Sequence, residues 1–341
     1  MKALFITRFG SPEESFELRE VPDPIPNEGE ILVKAQGFGI NYADIMARMG
    51  QYQDCPPLPA IVGYEVVGHV EKLGSHVQGF SIGDRVLAFT RFGGYAEKAK
   101  APALACVKID ESIPLAEATA LATQYCTAFF ASHVSTRLFK EDHVLVQAAA
   151  GGVGTALVQL AKLKGCTVYG TAGSEEKCRH LKEMGVDFPI NYNSEDFEKK
   201  IREIRKGKGM DVVFDSLGGV TFGKGFKLLN PTGRIIGYGA AESSGSRNPL
   251  NLIKLLFGFG FRSVVHLLIQ SLSINGLNML RVADYRPDMM QYCMENVVKL
   301  HTEGKIKPVQ GGTFKSTEIA KAHAYVQSRK SMGKVAVEWV H

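Results

Sequence analysis

No cysteine pattern is present in this 341-residue chain. Cys55, Cys106, Cys126, Cys166, Cys178 and Cys293 form no C-x-x-C pair and keep no regular spacing. A disulfide framework is therefore excluded as an organising device, and free thiols in a reducing, cytoplasmic compartment are expected. The opening residues, MKALFITRFG, lack the apolar stretch and small-residue cleavage site of a secretory signal and read as a first strand. Charge of one sign is not in excess either. Forty basic residues face 35 acidic ones, and the net +5 is spread along the chain, which argues against nucleic acid as a partner. The most basic stretch, Lys199 to Gly209, mixes in acids and reads as a solvated helix face. Repeats at solenoid periods are absent.

Uninterrupted apolar runs long enough for a bilayer are missing too. Spanning one takes ~20 apolar residues. The richest segment, Pro249 to Leu280, is broken by Lys254, Arg262 and His266. Two readings of it stand: a buried helix pair beside a sheet or at a cleft mouth, with Asn248 and Pro249 as cap and first turn, or an interfacial surface making peripheral membrane contact.

What the sequence does contain is two rhythms. Up to about residue 125, short strand-like runs such as EILVKAQGFGIN, VVGHVEKLG and GDRVLAF are punctuated by Gly and Pro, predicting an irregular β domain. From Cys126 to about 275, apolar strands (HVLVQA, TVYGTA, FPINY, MDVVFDSLG, RIIGYGA) alternate with amphipathic helices. That alternation predicts an α/β, doubly wound parallel sheet. Residues 276 to 341 supply two more helices and a closing strand, KVAVEWV.

The first strand–helix junction of the second region reads VLVQAAAGGVGTALVQLAK. A dinucleotide turn has the form G-x-G-x-x-G: one glycine for the tight turn, one for approach to the pyrophosphate, one for helix packing on the strand. Here the three places hold Ala149, Gly151 and Gly154, so two roles are kept and the first falls to a small side chain. The helix that follows aims its N-terminus at the phosphates. At the end of the next strand, Thr171 to Ser174, stands no acid of the kind that accepts from the ribose of NAD. Lys177 and Arg179 follow one turn on, so NADPH is the expected cofactor. The alternative is that these two cations only solvate a helix.

Several further stretches occur in one order: GINYADIMARMGQY, GYEVVGHVEKLG, GDRV, AAAGGVG, INY, DSLGG and GKVAVEWV. Together they resemble the medium-chain dehydrogenase/reductase superfamily from end to end, in its zinc-independent quinone oxidoreductase branch. NYADIMAR and the 249 to 280 segment are most similar to its vesicle-associated VAT-1 type. The resemblance implies a GroES-like β-rich catalytic domain (1 to 125 and 276 to 341) with a Rossmann NADP-binding domain (126 to 275) between. It also implies a cofactor in the cleft between them and a homodimer paired through SINGLNML. Zinc alcohol dehydrogenases of the superfamily hold metal with a Cys, the His of Gly-His-Glu and a second Cys. The matching positions here are Asn41, Tyr64 and Thr123, poor zinc ligands, so no metal is expected.

Residue by residue, the resemblance implies Asn41 and Thr127 beside the nicotinamide, and Gly151, Gly152, Val153 and Gly154 at the pyrophosphate. Ser174, Lys177 and Tyr192 are implied at the 2′-phosphate, and Tyr238 and Lys334 at the cofactor's far edge. Tyr52 matches a tyrosine lining the quinone pocket, as proton donor or as packed aromatic; a second is replaced by Met46, and Tyr42 and Tyr64 add phenols nearby. Asn41, Tyr52 and Tyr64 are thus the catalytic candidates, and Asp44 is expected to support its own loop. The implied reaction is reduction of quinones or α,β-unsaturated carbonyls, which needs a positioned hydride and a hydrogen-bond donor but no Lewis acid. A lipid-related, membrane-associated role with little turnover is the alternative.

Overall fold

A computed structural model describes residues 1 to 241, 257 to 260 and 262 to 340. The chain divides into two compact units, one of Met1–Cys126 with Met279–His341 and one of Thr127–Asn278.

The first unit holds β1 (Lys2–Ile6), β2 (Phe16–Glu20), β3 (Glu30–Ile40), β4 (Glu65–Leu73), β5 (Arg85–Phe89), β6 (Lys98–Pro102) and β7 (Cys106–Lys108). The second holds β8 (His143–Val146), β9 (Thr167–Ala172), β10 (Phe188–Asn191), β11 (Met210–Asp215), β12 (Leu229–Gly237) and β13 (Ser273–Gly276). The chain then returns to the first with β14 (Gln310–Lys315) and β15 (Lys334–Glu338).

In the first unit β14, β15, β3, β4, β5 and β7 lie side by side, β6 also pairs with β3, and β1 and β2 form a separate ribbon. Long β3 is the spine: β15, β4 and β6 all run antiparallel to it. Its core gathers Ile31, Val33, Phe38, Val66, Val86, Tyr95, Val335 and the lone tryptophan, Trp339. Because side chains alternate along a strand, register decides which polar groups meet. Val335 lies opposite Ile40 and Val66 opposite Phe38, which brings Lys334 and Glu65 to the Asn41 end of β3.

In the second unit the order is β10-β9-β8-β11-β12-β13 and every pairing is parallel. β8 and β9 are apolar runs buried on both faces, as a covered parallel sheet demands. The strand order reverses at β8, the place where such sheets bind nucleotides beyond the strands' C-terminal ends. Helix starts follow local chemistry: Ser174 caps Glu175–Glu183 through the Lys177 N–H, and Asp196 caps Phe197–Ile204 through Glu198 and Lys199.

One expectation is corrected. Within 249 to 280, residues 249 to 256 and 261, with the Asn248–Pro249 cap, lie outside the described residues. The described helix Val264–Gln270 is not a buried one: it buries no residue, and Val264, Val265, Leu268 and Ile269 are each more than 60% exposed. Apolar periodicity marks the face a helix must cover without saying whether its own chain covers it. No helix among the described residues is long and apolar enough to cross a membrane.

Candidate functional site

The first unit carries a buried polar cluster at the end of β3. Asn41 caps the helix Tyr42–Arg48 and is 7% exposed. Its side-chain amide donates to both oxygens of Glu65, at 2.8 and 3.0 Å, and its carbonyl oxygen accepts from Lys334 Nζ at 2.8 Å. Lys334 also donates to Glu65, and so does the Thr123 hydroxyl. Glu65 and Lys334 have no solvent exposure. A carboxylate so placed is tolerable only because an ammonium, an amide and a hydroxyl all face it. Gly39 makes the room: a Cβ there would land on the Lys334 and Glu65 side chains.

On the other side of Asn41, its backbone N–H donates to Asp44 Oδ2 at 2.8 Å. Asp44 is fully buried. Burial pushes its carboxyl from 3.8 up to about 8; the Asn41 N–H partly offsets this, and the negative charge of Glu65 adds to it. Beyond lies Tyr95, whose hydroxyl meets His323 Nε2 at 3.0 Å, both residues buried. Burial holds the Tyr95 phenol well above its usual range and His323 well below.

Tyr52 and Tyr64 meet edge to face with ring centroids 6.2 Å apart, and Phe92 lies 5.4 Å from Tyr64. Burial raises both phenols, Tyr64 far more than half-buried Tyr52. Each therefore keeps its proton at neutral pH.

In the second unit, β8 ends at Val146, Gln147 follows, and the chain turns through Ala148, whose φ of 51° is left-handed. That conformation is strained for a residue with a Cβ, and three bonds to the next strand and across the turn hold it. Ala148 N–H donates to Thr171 Oγ1 at 3.1 Å, Ala149 N–H to the Thr171 carbonyl at 2.8 Å, and Gly151 N–H to the Ala148 carbonyl at 3.0 Å. Gly151 caps the helix Gly152–Leu163 with no side-chain acceptor and no acid in its first turn. The N–H groups of Gly152, Val153 and Gly154 thus have no intrahelical acceptor and sit at the positive end of a twelve-residue helix. Gly154 has no room for a side chain, since a Cβ would come within 2.7 Å of the Ala149 backbone. Nearby, the buried Gln147 Nε2 has no hydrogen-bond partner among the described residues. A negatively charged diphosphate fits this turn.

Ala149 is accommodated by its neighbour. Gly170 on β9 faces it, and a methyl there would lie 3.0 Å from the Ala149 Cβ. At the tip of β9, the Tyr192 N–H donates to the Ala172 carbonyl, and its phenol covers Gly173, where an added Cβ would come within 2.6 Å of the hydroxyl. Ser174 Oγ accepts from the Lys177 N–H at 3.2 Å, and burial lowers the half-buried Lys177 amine. Ser174, Lys177 and Tyr192 therefore do lie together, with no acid on the strand tip itself.

Three candidate residues remain. Thr127 is buried at the start of the second unit, and Tyr238 follows β12, its N–H on the Asp215 carbonyl and its phenol raised by burial. Lys334 lies in the first unit, where its ammonium donates to Asn41 and Glu65. Sequence reasoning missed Glu65, Gln147, Thr171, Tyr95 and His323. For Glu65 a signal existed, an acid between Gly63-Tyr64 and the apolar run VVGHV.

Zinc does not fit the Asn41 cluster. Its three matching positions offer an amide, a phenol and a hydroxyl, two of them tied to Glu65, and an ammonium stands where a dication would have to be. No group of three or more His, Cys, Asp or Glu able to hold a metal occurs among the described residues.

Comparison with known proteins gives two family matches, to the alcohol dehydrogenase GroES-like domain over residues 27 to 111 and to the zinc-binding dehydrogenase family over 152 to 294. The human synaptic vesicle membrane protein VAT-1 homolog is 33% identical over 339 residues, 98% of this chain and 86% of that protein. A 2-haloacrylate reductase of a Burkholderia species is 31% identical, covering 98% of each chain. The crystal structure of Escherichia coli quinone oxidoreductase complexed with NADPH superposes with a TM-score of 0.85 at 26% identity, over 99% of this chain and 100% of that one.

Proposed function

The chain belongs to the medium-chain dehydrogenase/reductase superfamily, in its VAT-1-like quinone oxidoreductase branch, and from that premise we propose that it is an NADPH-dependent reductase of quinones or α,β-unsaturated carbonyls. The observation that carries the reading is the Ala148–Gly154 turn leading into a helix N-terminus without side-chain cap or acid, with an acid-free β9 tip where Ser174 accepts from the Lys177 N–H and the Tyr192 phenol covers Gly173. NADPH, when bound, supplies the hydride. Gly151, Gly152, Val153 and Gly154 would receive its pyrophosphate; Ser174, Lys177 and Tyr192 its 2′-phosphate. In the first unit Asn41 would lie beside the nicotinamide; in the second, Thr127 and Tyr238 would contact the cofactor.

The acceptor side is apolar. Tyr52, Tyr64 and Phe92 offer ring faces to a small hydrophobic acceptor, and two protonated phenols stand ready to donate to a developing oxyanion or enolate. Fluorescence titration with NADPH, then absorbance at the nicotinamide band across a panel of quinones, enals and enones with NADH as control, tests the reading. Absence of stoichiometric NADPH binding overturns it.

The partner of the exposed apolar helix Val264–Gln270 is a second copy of the chain. Supporting this, β13 is the last strand of its sheet among the described residues, and the helix that leads into it exposes Val264, Val265, Leu268 and Ile269. Sedimentation of wild type and Leu268→Glu decides: a dimer that dissociates on substitution is expected. A wild-type monomer that co-sediments with anionic liposomes would favour peripheral membrane contact instead.

A further inference from the structure

We propose that the buried Glu65–Lys334 pair is a positioning device that holds the Asn41 carboxamide in a single orientation for hydride transfer. The inference rests on the placing of Asn41 beside the nicotinamide.

A carboxamide has two nearly isosteric orientations, related by a flip that exchanges its oxygen and nitrogen. At Asn41 the flip is blocked electrically. In the observed orientation the oxygen faces the Lys334 ammonium at 2.8 Å and the nitrogen faces the Glu65 carboxylate at 2.8 and 3.0 Å. Reversal would set N–H groups against the ammonium and a carbonyl against the carboxylate, replacing charge-assisted hydrogen bonds with repulsive contacts. Thr123 fixes Glu65 from a third direction, and the Asn41 backbone is pinned by Asp44. Neither charge touches solvent, so water can substitute for neither partner.

The arrangement also departs from what packing alone favours. Two charges with no exposure are often replaceable by apolar side chains of similar volume at no loss of stability. Room for them comes from Gly39, which has no Cβ to collide with them. A pair kept under those conditions, with both ends on one amide, orients that amide.

The test is Glu65→Leu with Lys334→Met, which removes both charges together and leaves no lone buried ion. The double variant is expected to fold and, at saturating NADPH, to lose at least about tenfold in kcat with a smaller change in the KM of the acceptor. In an Asn41→Ala background the same two substitutions should cost less than about twofold, because the pair then has nothing to position. The side-chain amide signals of Asn41 in 15N-labelled protein without cofactor, assigned by their absence in Asn41→Ala, supply a readout independent of turnover. They should exchange slowly in wild type and fast in the double variant. Unchanged kcat and unchanged Asn41 signals overturn the inference. Should the double variant not fold, Glu65→Gln keeps the volume and is expected to lose turnover and perturb the same signals; wild-type behaviour there overturns it equally. If the wild type does not oxidise NADPH, the functional reading fails, and the Asn41 signals alone still decide on the positioning.

Discussion

Replacing Asp44 with asparagine isolates the most perturbed carboxyl of the first unit. Its folded-state pKa of about 8 lies above the ordinary value of 3.8. Between those two values the folded chain keeps a proton that the unfolded chain has released. Stability therefore falls as pH rises through that window and levels off on either side of it. Each pH unit inside the window is worth about 1.4 kcal/mol, so from pH 5 to pH 8 Asp44 should cost about 4 kcal/mol. The substituted carboxamide would still accept from the Asn41 N–H but has no proton to lose. Asp44→Asn should thus match wild type near pH 4 and exceed it increasingly toward pH 8. Urea unfolding followed by tryptophan fluorescence reads the right unit, because the single tryptophan, Trp339, is buried in its core. Parallel pH profiles for the two proteins would refute the argument.

Gly154→Ala should weaken NADPH binding at least about tenfold, since its Cβ would push into the Ala149 backbone and open the helix end; calorimetry measures this. Lys177→Glu should cut the preference for NADPH over NADH about tenfold or more, read as a ratio of kcat/KM. Gly39→Ala should destabilise the first unit by about 1 to 3 kcal/mol through collision with Lys334 and Glu65, seen in the same fluorescence assay. His133 is held down to about 4, by burial first and by Lys164 second. The second unit should therefore lose stability as pH falls from about 6.5 toward 4, and His133→Gln should flatten that loss in circular dichroism melts.

The legible parts of this protein are those whose causes are local in sequence. Strands such as HVLV and TVYGTA are buried on both faces, so they read as unbroken apolar runs, and the spacing of Gly151 and Gly154 lies within one turn. The α/β class and the phosphate turn follow directly. The Asn41 cluster is different in kind. Glu65 and Lys334 are 269 positions apart, and only the register of β4 and β15 against β3 makes them neighbours. Read singly, Lys334 carries no mark of an internal partner; its bonds to Asn41 and Glu65 exist only in the fold. For Val264 to Ile269 the sequence left a buried helix and an interfacial face both open for a related reason: apolar composition marks a need for cover, not its source.

Ala149 and Gly170 lie on adjacent segments and share space that suits one methyl group. The sequence puts that methyl on the turn and leaves the strand bare. The two positions should therefore vary as a couple. A glycine at 149 would relieve the 3.0 Å approach that an alanine at 170 otherwise meets, leaving Val186 and Leu181, at 3.2 and 3.3 Å, to yield by a few tenths of an ångström. A search for this turn that scores its first glycine alone would pass over chains that have moved the vacancy to the neighbouring strand. Scoring the two positions jointly would recover them.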